Sequence, residues 1–191
     1  LINTPHTNPP IENVQFANFN ADKVGTWIIT VNSGGISDQL EVLVVQGEIV
    51  LITMDVEQDT ITADEVLLIN TTSFDIKGNS APITVPSENW TSIADGELVE
   101  GQPAQWMPNL QGLRNLTLSY NGVEAFLNVV VTKGTIYQFD VMIDGINKNN
   151  QTVTISADNQ LDFMLEVFDK NGNQMTINAD WTVSHSQYNL K

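Results

Sequence analysis

Hydrophobic and polar residues alternate along this chain in short runs, of which Thr26-Trp27-Ile28-Ile29-Thr30-Val31 and Asn115-Leu116-Thr117-Leu118-Ser119-Tyr120 are the clearest. A period of two places alternate side chains on opposite faces of an extended chain, so each run predicts a strand with one buried face. Clusters of Gly, Asn, Asp and Pro bound the runs, as expected for short antiparallel strands. Helical periodicity is nearly absent, and only Ala63–Leu68 could pass for a helical turn. Asn32-Ser33-Gly34-Gly35 and Tyr120-Asn121-Gly122 sit between such runs. Asn-Gly predicts a type I′ hairpin, because both central residues of that turn need positive φ. Asp169–Asn173 reads as a further turn.

The same pattern occurs more than once. Gly47-Glu48-Ile49-Val50 recurs as Gly134-Thr135-Ile136-Tyr137 at an offset of 87. Ile61-Thr62-Ala63-Asp64 recurs as Ile155-Ser156-Ala157-Asp158 at 94, and Phe74–Asn79 as Phe168–Asn173, also at 94. Trp90-Thr91 recurs as Trp181-Thr182 at 91. Ile29, Val31, Gly35, Leu40 and Val42 return as Leu116, Leu118, Gly122, Leu127 and Val129 at 87. Matches in one order with small drift define an internal repeat of about 90 residues.

Residues 47–133 read as one complete copy, 1–46 as the second half of a copy and 134–191 as the first half. The complete copy predicts strands near 47–56, 64–75, 88–94, 104–108, 114–120 and 123–132, with one more in the loops. About seven short strands in such a length is the arithmetic of an immunoglobulin-like (Ig-like) β-sandwich, giving an all-β fold class of tandem sandwiches. Its predicted core is Ile49, Val66, Phe74, Trp90, Leu116, Leu118, Leu127 and Val129. Gly134 follows Lys133 directly, so neighbouring repeats should abut stiffly.

The order Ala-Asp, apolar run, Phe-Asp-x-x-Gly-Asn, Trp-Thr and two glycine-punctuated alternating strands resembles the tandem bacterial-type Ig-like (Big/invasin-like) repeats of prokaryotic, especially archaeal, cell-surface proteins. The Asp-x-x-Gly-Asn turn is similar to the hairpin of invasin/intimin-type repeats. Gly25-Thr26-Trp27-x-Ile29-Thr30-Val31 is similar to the ending of repeats in large archaeal surface proteins. The resemblance covers nearly the whole chain. It implies an extracellular or cell-surface location and a structural role, and it supplies no catalytic residue.

Composition narrows the partners. The 191 residues carry 7 Lys plus Arg against 23 Asp plus Glu, a formal charge of −16. So few cations leave little to neutralise phosphates, which argues against nucleic acid and an anionic membrane face. No apolar run has the length to span a bilayer. There is no cysteine, hence no disulfide framework, thiolate metal site or cysteine nucleophile. Asn occurs 21 times, a richness that suits an extracellular β protein. Leu1 is not a start methionine and Leu1–Pro10 lacks a basic-then-apolar signal pattern, so a processed chain or one cut from something longer is expected.

Each candidate site has a structural alternative. Asp75, Asn79, Asp169, Asn171 and Asn173 could contribute to calcium loops, completed by Asp64 or Asp158 at a domain junction. Calcium wants six to eight oxygens, which neither segment supplies, and turn chemistry alone demands these residues. The turn reading is preferred and no cofactor is expected. Trp27, Trp90, Trp106 and Trp181 could stack on sugars, but Trp90 and Trp181 hold the position where such sandwiches bury an aromatic, and Trp27 alternates with Ile29 and Val31. Trp106 is the candidate ligand-binding residue. His6 and His185 are the sole histidines, and Ser184-His185-Ser186 lacks a nucleophile-elbow pattern. The acidic residues suggest a hydrated surface before a carboxylate pair for glycoside hydrolysis. Sequons at Asn70, Asn89, Asn115 and Asn150 are about as many as chance provides.

Half a sandwich exposes an apolar face and open strand edges. The preferred explanation is an excerpt of a longer array. Next comes head-to-tail assembly in which 134–191 of one molecule is completed by 1–46 of another, and last comes pairing of the two ends within one molecule. The expectation is therefore a non-enzymatic extracellular structural or adhesive repeat protein of a surface layer, stalk or filament. Its partners would be neighbouring Ig-like repeats or copies of itself. The alternative is a carbohydrate- or ligand-binding β-sandwich module, with glycans as partners.

Overall fold

The computed structural model describes residues 15–91, 93 and 95–184, and among these the chain is all-β, with a single short 3₁₀ turn at Ser87–Asn89. The first two strands, β1 (Gly25–Ser33) and β2 (Ile36–Val44), form a hairpin. Strands β3 (Ile49–Asp55), β4 (Thr60–Thr62), β5 (Leu67–Asp75), β6 (Ser80–Pro82), β7 (Glu97–Val99), β8 (Ala104–Met107), β9 (Gly112–Tyr120) and β10 (Val123–Thr132) follow. The last group is β11 (Ile136–Ile143), β12 (Ile146–Asn147), β13 (Phe163–Asp169) and β14 (Gln174–Met175).

The central group is a sandwich. One sheet runs β3-β5-β8-β7, with β6 beside β5, and the other β4-β10-β9. Trp90 adds a bridge to Leu118 on the free side of β9. β4 pairs parallel to β10, because the chain leaving β3 crosses to the opposite sheet. This is the two-sheet order of an immunoglobulin constant-type domain, with the tryptophan at its third-strand position. Ile52, Leu67, Ile69, Ala104 and Trp106 from one sheet meet Ile61, Leu116, Leu118, Val129 and Val131 from the other, all 3% exposed or less.

The predicted core is met by Trp90, Leu116, Leu118 and Val129, while Ile49 and Leu127 are half-buried against its edge; Val66, 45% exposed, and Phe74, half-buried and outside the core cluster, are corrected. The inward parity of β5 is that of Leu67, Ile69, Thr71, Ser73 and Asp75. Polar inward residues disguised this parity, and each has a partner: Thr71 Oγ1 donates to Ile83 O and Gln102 Oε1, and Ser73 Oγ donates to Gln46 Oε1. Where a strand was predicted near 88–94, the described residues show the 3₁₀ turn Ser87–Asn89 and a single bridge at Trp90.

The hairpin β1–β2 copies β9–β10 residue for residue. Gly25 faces Val44 and Ile29 faces Leu40, as Gly112 faces Val131 and Leu116 faces Leu127. Both turns have two central residues at positive φ, Gly34-Gly35 (58°, 80°) and Asn121-Gly122 (51°, 78°), the geometry Asn-Gly predicted. β11–β13 likewise copies β3–β5. The drift in offset from 87 to 94 is taken up by the β11–β12 hairpin around Asp144-Gly145.

Candidate functional site

The Asp-x-x-x-Asn turns lie where one repeat meets the previous one. Asp75 Oδ1 accepts the N–H groups of Lys77 and Asn79, both at 2.9 Å. Its Oδ2 accepts Gly47 N–H at 3.0 Å and Asn79 Nδ2 at 2.9 Å. Asn79, so fixed, turns to the preceding repeat. Its Oδ1 accepts Val24 N–H at 3.2 Å and its Nδ2 donates to Asp22 O at 3.0 Å.

Asp169 and Asn173 repeat this set of bonds. Asp169 Oδ1 accepts from Asn171 and Asn173 N–H, and Oδ2 accepts from Gly134 N–H and Asn173 Nδ2. Asn173 Oδ1 accepts Gln111 N–H at 3.1 Å, and its Nδ2 donates to Asn109 O at 2.8 Å. Asn109 and Gln111 are Asp22 and Val24 advanced by 87. A carboxylate aligns an amide, and the amide imitates a strand by bonding two backbone groups of the neighbouring repeat. We call this arrangement the latch.

The second latch has reinforcement. Asp64 Oδ2 accepts Thr135 N–H at 3.0 Å and Thr135 Oγ1 at 2.8 Å, while Oδ1 accepts Thr62 Oγ1 at 2.6 Å. Asn171 Nδ2 donates to Ala63 O at 2.6 Å. A Cβ on Gly134 would lie 2.9 Å from the Asp64 carboxylate, so this position needs glycine for close approach. Arg114 braces the loop that Asn173 grips: it pairs with Asp95 at 3.0 Å and donates to Leu110 O and Gln111 O. At the first junction Trp27 stands at the position of Arg114 and donates from Nε1 to Lys23 O, while Lys77 pairs with Asp22 at 2.8 Å on the open surface.

These bonds fix the ionisation. Hydrogen bonds from Asn79, then Gly47, pull Asp75 down from 3.8 to about 2, against the opposing effect of desolvation. Asp64 is lowered further, by the Thr62 hydroxyl first and then by the N–H and hydroxyl of Thr135. Burial pushes Asp169 upward, but the donors at Gly134, Asn173 and Asn171 outweigh it, so it too is lowered.

The calcium candidates thus occupy two latches. Four N–H donors saturate each of Asp75 and Asp169, so a cation could bind only by displacing them. Asp64 is likewise turned to Thr62 and Thr135, whereas Asp158 is exposed. Among the described residues no cluster of three or more His, Asp or Glu could hold a metal ion. Trp106, the candidate for ligand stacking, is corrected to a core residue: it is 0% exposed and its Nε1 donates to Asp95 O, so it has no free face for a sugar. Trp90 is buried as expected. Trp27 is half-buried, and Trp181 is 42% exposed and tilted against Phe163 at 5.9 Å, which corrects the expectation of a buried ring.

Of the sequons, Asn70, Asn115 and Asn150 are exposed, although Asn115 Nδ2 donates to Asn128. Asn89 Nδ2 donates to Ser119 O and is half-buried. His6, His185 and Ser186 lie outside the described residues. No described helix is long and apolar enough to cross a membrane. Sequence reasoning placed the turns correctly and missed their reach to the previous repeat. The signal available was the joint recurrence of Gly47 with Asp75-x-x-x-Asn79.

No family model matches the chain, and no curated protein does. Among solved structures it is similar to the surface layer protein SbsC, domains 4–9, at 16% identity and a TM-score of 0.34. The similarity covers 80% of this chain and 25% of that one, so the chain spans about a quarter of that structure's length.

Proposed function

We propose that this chain is a non-enzymatic extracellular repeat protein of the tandem Ig-like kind, whose work is structural or adhesive spacing in a surface layer, stalk or filament. The observation that carries this reading is the latch, built twice with the same donors and acceptors at successive junctions. A carboxylate, a glycine and an asparagine spent on joining repeats serve spacing and alignment. The absence of any linker between Lys133 and Gly134 acts in the same direction. The shifted carboxylates among the described residues, Asp22, Asp64, Asp75, Glu100 and Asp169, are all lowered by hydrogen bonds. A general acid needs the opposite shift.

Two measurements test the reading. Spin labels on exposed positions either side of a junction, such as Thr30 with Ser80 and Phe126 with Lys170, should give narrow distance distributions. Asn79→Ala and Asn173→Ala should broaden them. Distributions already broad in the unaltered chain would remove the spacing role. Brief protease treatment of intact source cells should release peptides of this chain, and full protection until lysis would remove the surface location.

A further inference from the structure

The outer face of β9–β10, on the central sandwich, holds a sequon whose two polar side chains are bonded to each other. Residues two apart on a strand share a face, so Asn115 and Thr117 both point outward while Leu116 between them is fully buried. Thr117 Oγ1 donates to Asn115 Oδ1 at 2.9 Å. Asn115 Nδ2 donates at 3.0 Å to Oδ1 of Asn128, the residue facing it on β10. Asn115 is exposed, and the second N–H of its Nδ2 has no partner among the described residues. The sequon at Asn89 is arranged otherwise: Thr91 Oγ1 donates to Thr117 O, and Asn89 Nδ2 to Ser119 O.

An aromatic ring stands beside Asn115. Phe126 faces Thr117 across the strands, diagonal to Asn115, and is 62% exposed. Diagonal neighbours on antiparallel strands lie about 7–8 Å apart, within reach of a ring-sized group carried on the asparagine. The first repeat has neither feature. At the positions 87 residues earlier, Ile28 stands for Asn115, Gln39 for Phe126 and Glu41 for Asn128. There Gln39 Nε2 donates to the hydroxyl of Thr30, the counterpart of Thr117, at 3.2 Å. Sequon and exposed ring are thus present together on one hairpin and absent together from the other.

We propose that Asn115 is a glycosylation site, bearing a pyranose N-linked through Nδ2 whose apolar face lies on the Phe126 ring. The proposal rests on the cell-surface reading above, since sequons are modified on exported chains. The donor is a sugar held at its anomeric carbon by a lipid phosphate. A bond forms between Nδ2 and the anomeric carbon, the bond from that carbon to the phosphate oxygen breaks, the lipid phosphate leaves, and one amide proton passes to a base of the transferase. The nitrogen keeps one hydrogen. In the folded chain that hydrogen goes on donating to Asn128, and Oδ1 goes on accepting from Thr117. The sugar replaces the N–H that has no partner, so no bond of the protein is displaced. The two retained bonds fix the amide plane, and the sugar covers an apolar ring otherwise left in water. Asn70 lacks this setting: Asp55 stands opposite it on β3, and its neighbours on the same face of β5 are Leu68 and Thr72.

The test is mass spectrometry of the chain isolated from its source, with fragmentation that retains the sugar and locates it. The expected result is a mass gain of one or more sugar units on Asn115, relative to the chain made in a cytosol that lacks the transferase. Thr117→Val, expressed in the source cells, should remove the gain without touching the asparagine, and Thr117→Ser should keep it. Phe126→Ala should keep the sugar and abolish the upfield shift that the ring imposes on protons of the first sugar in magnetic resonance spectra. Equal amide exchange at Leu116 and Leu118 in all three variants certifies that β9 is in place. An unmodified Asn115, a sugar confined to other sequons, or a gain that survives Thr117→Val overturns the proposal. Sugar shifts unaltered by Phe126→Ala overturn the stacking. A bare Asn115 on a chain that protease releases from intact cells overturns this inference alone, whereas a chain protected until lysis overturns the surface location.

Discussion

The central sandwich and the last repeat start from the same sequence pattern and end in different states. β3 and β5 bury Ile52, Leu67 and Ile69 beneath β9–β10, while β11 and β13 leave Phe139 and Phe163 half open. The residues of the open face are, if anything, larger and more apolar. Burial is therefore not a property a residue carries with it. It is conferred by the element packed on top, and the comparison isolates that element as one β-hairpin.

The largest expected effect breaks the comparison at one repeat position. Trp106→Ala should destabilise the central sandwich by about 3–5 kcal/mol, since the ring is fully enclosed. Phe19→Ala, the same position one repeat earlier, should change denaturant unfolding by less than about 0.5 kcal/mol at concentrations where the chain is single. Leu118→Ala against Val31→Ala makes the same contrast, with about 2–5 kcal/mol expected for the buried leucine. Comparable losses within either pair would mean that the first repeat is already closed.

At the junctions, Gly134→Ala should be costly and Gly47→Ala mild. The added methyl meets the Asp64 carboxylate at 2.9 Å in the first case and only ordinary contact with Asp75 at 3.5 Å in the second. Gly134→Ala should cost about 1–3 kcal/mol of local stability, the price of hydrogen bonds forced apart, read from amide exchange at Thr135. Asn173→Ala should speed exchange at Gln111 N–H, and Asn79→Ala at Val24 N–H, by about ten-fold each, the equivalent of a net bond near 1.4 kcal/mol. Exchange unchanged by either substitution would reduce the latch to an ordinary turn.

Acid should open both junctions. The latch carboxylates are lowered in the folded chain, so the stability they contribute is fully present above the unfolded value near 3.8. It is lost as pH falls through the folded values, which for Asp75 places the loss between about 4 and 2. Spin-label distances across the junctions should broaden in that window. The smallest effect concerns calcium. Because Asp75 and Asp169 are saturated by N–H donors, millimolar calcium or a chelator should leave the melting temperature unchanged within about 1 °C. A clear rise with calcium would mean that the turns open to bind it.

Much of this was legible in the sequence. The hairpins, their I′ turns and the recurrence at 87 and 94 depend on interactions between near neighbours, and near neighbours are written side by side. The parity of β5 was not legible. Thr71, Ser73 and Asp75 have the look of a solvent face, and only Gln46, Gln102 and Asn79, brought from far along the chain, make their burial tolerable. Trp106 was ambiguous for the same reason, since its enclosure depends on the opposite sheet.

By itself the sequence determined the all-β class, the repeat length, the hairpin registers and the chemistry of the Asp-x-x-x-Asn turns, because each follows from local backbone geometry and side-chain period. Only the tertiary structure decided that those turns reach back to grip the preceding repeat, that Trp106 is enclosed, and that Thr71, Ser73 and Asp75 of β5 turn inward. These outcomes depend on which distant surfaces meet, and a hydrogen bond or a buried ring acquires its energy only when its partner arrives.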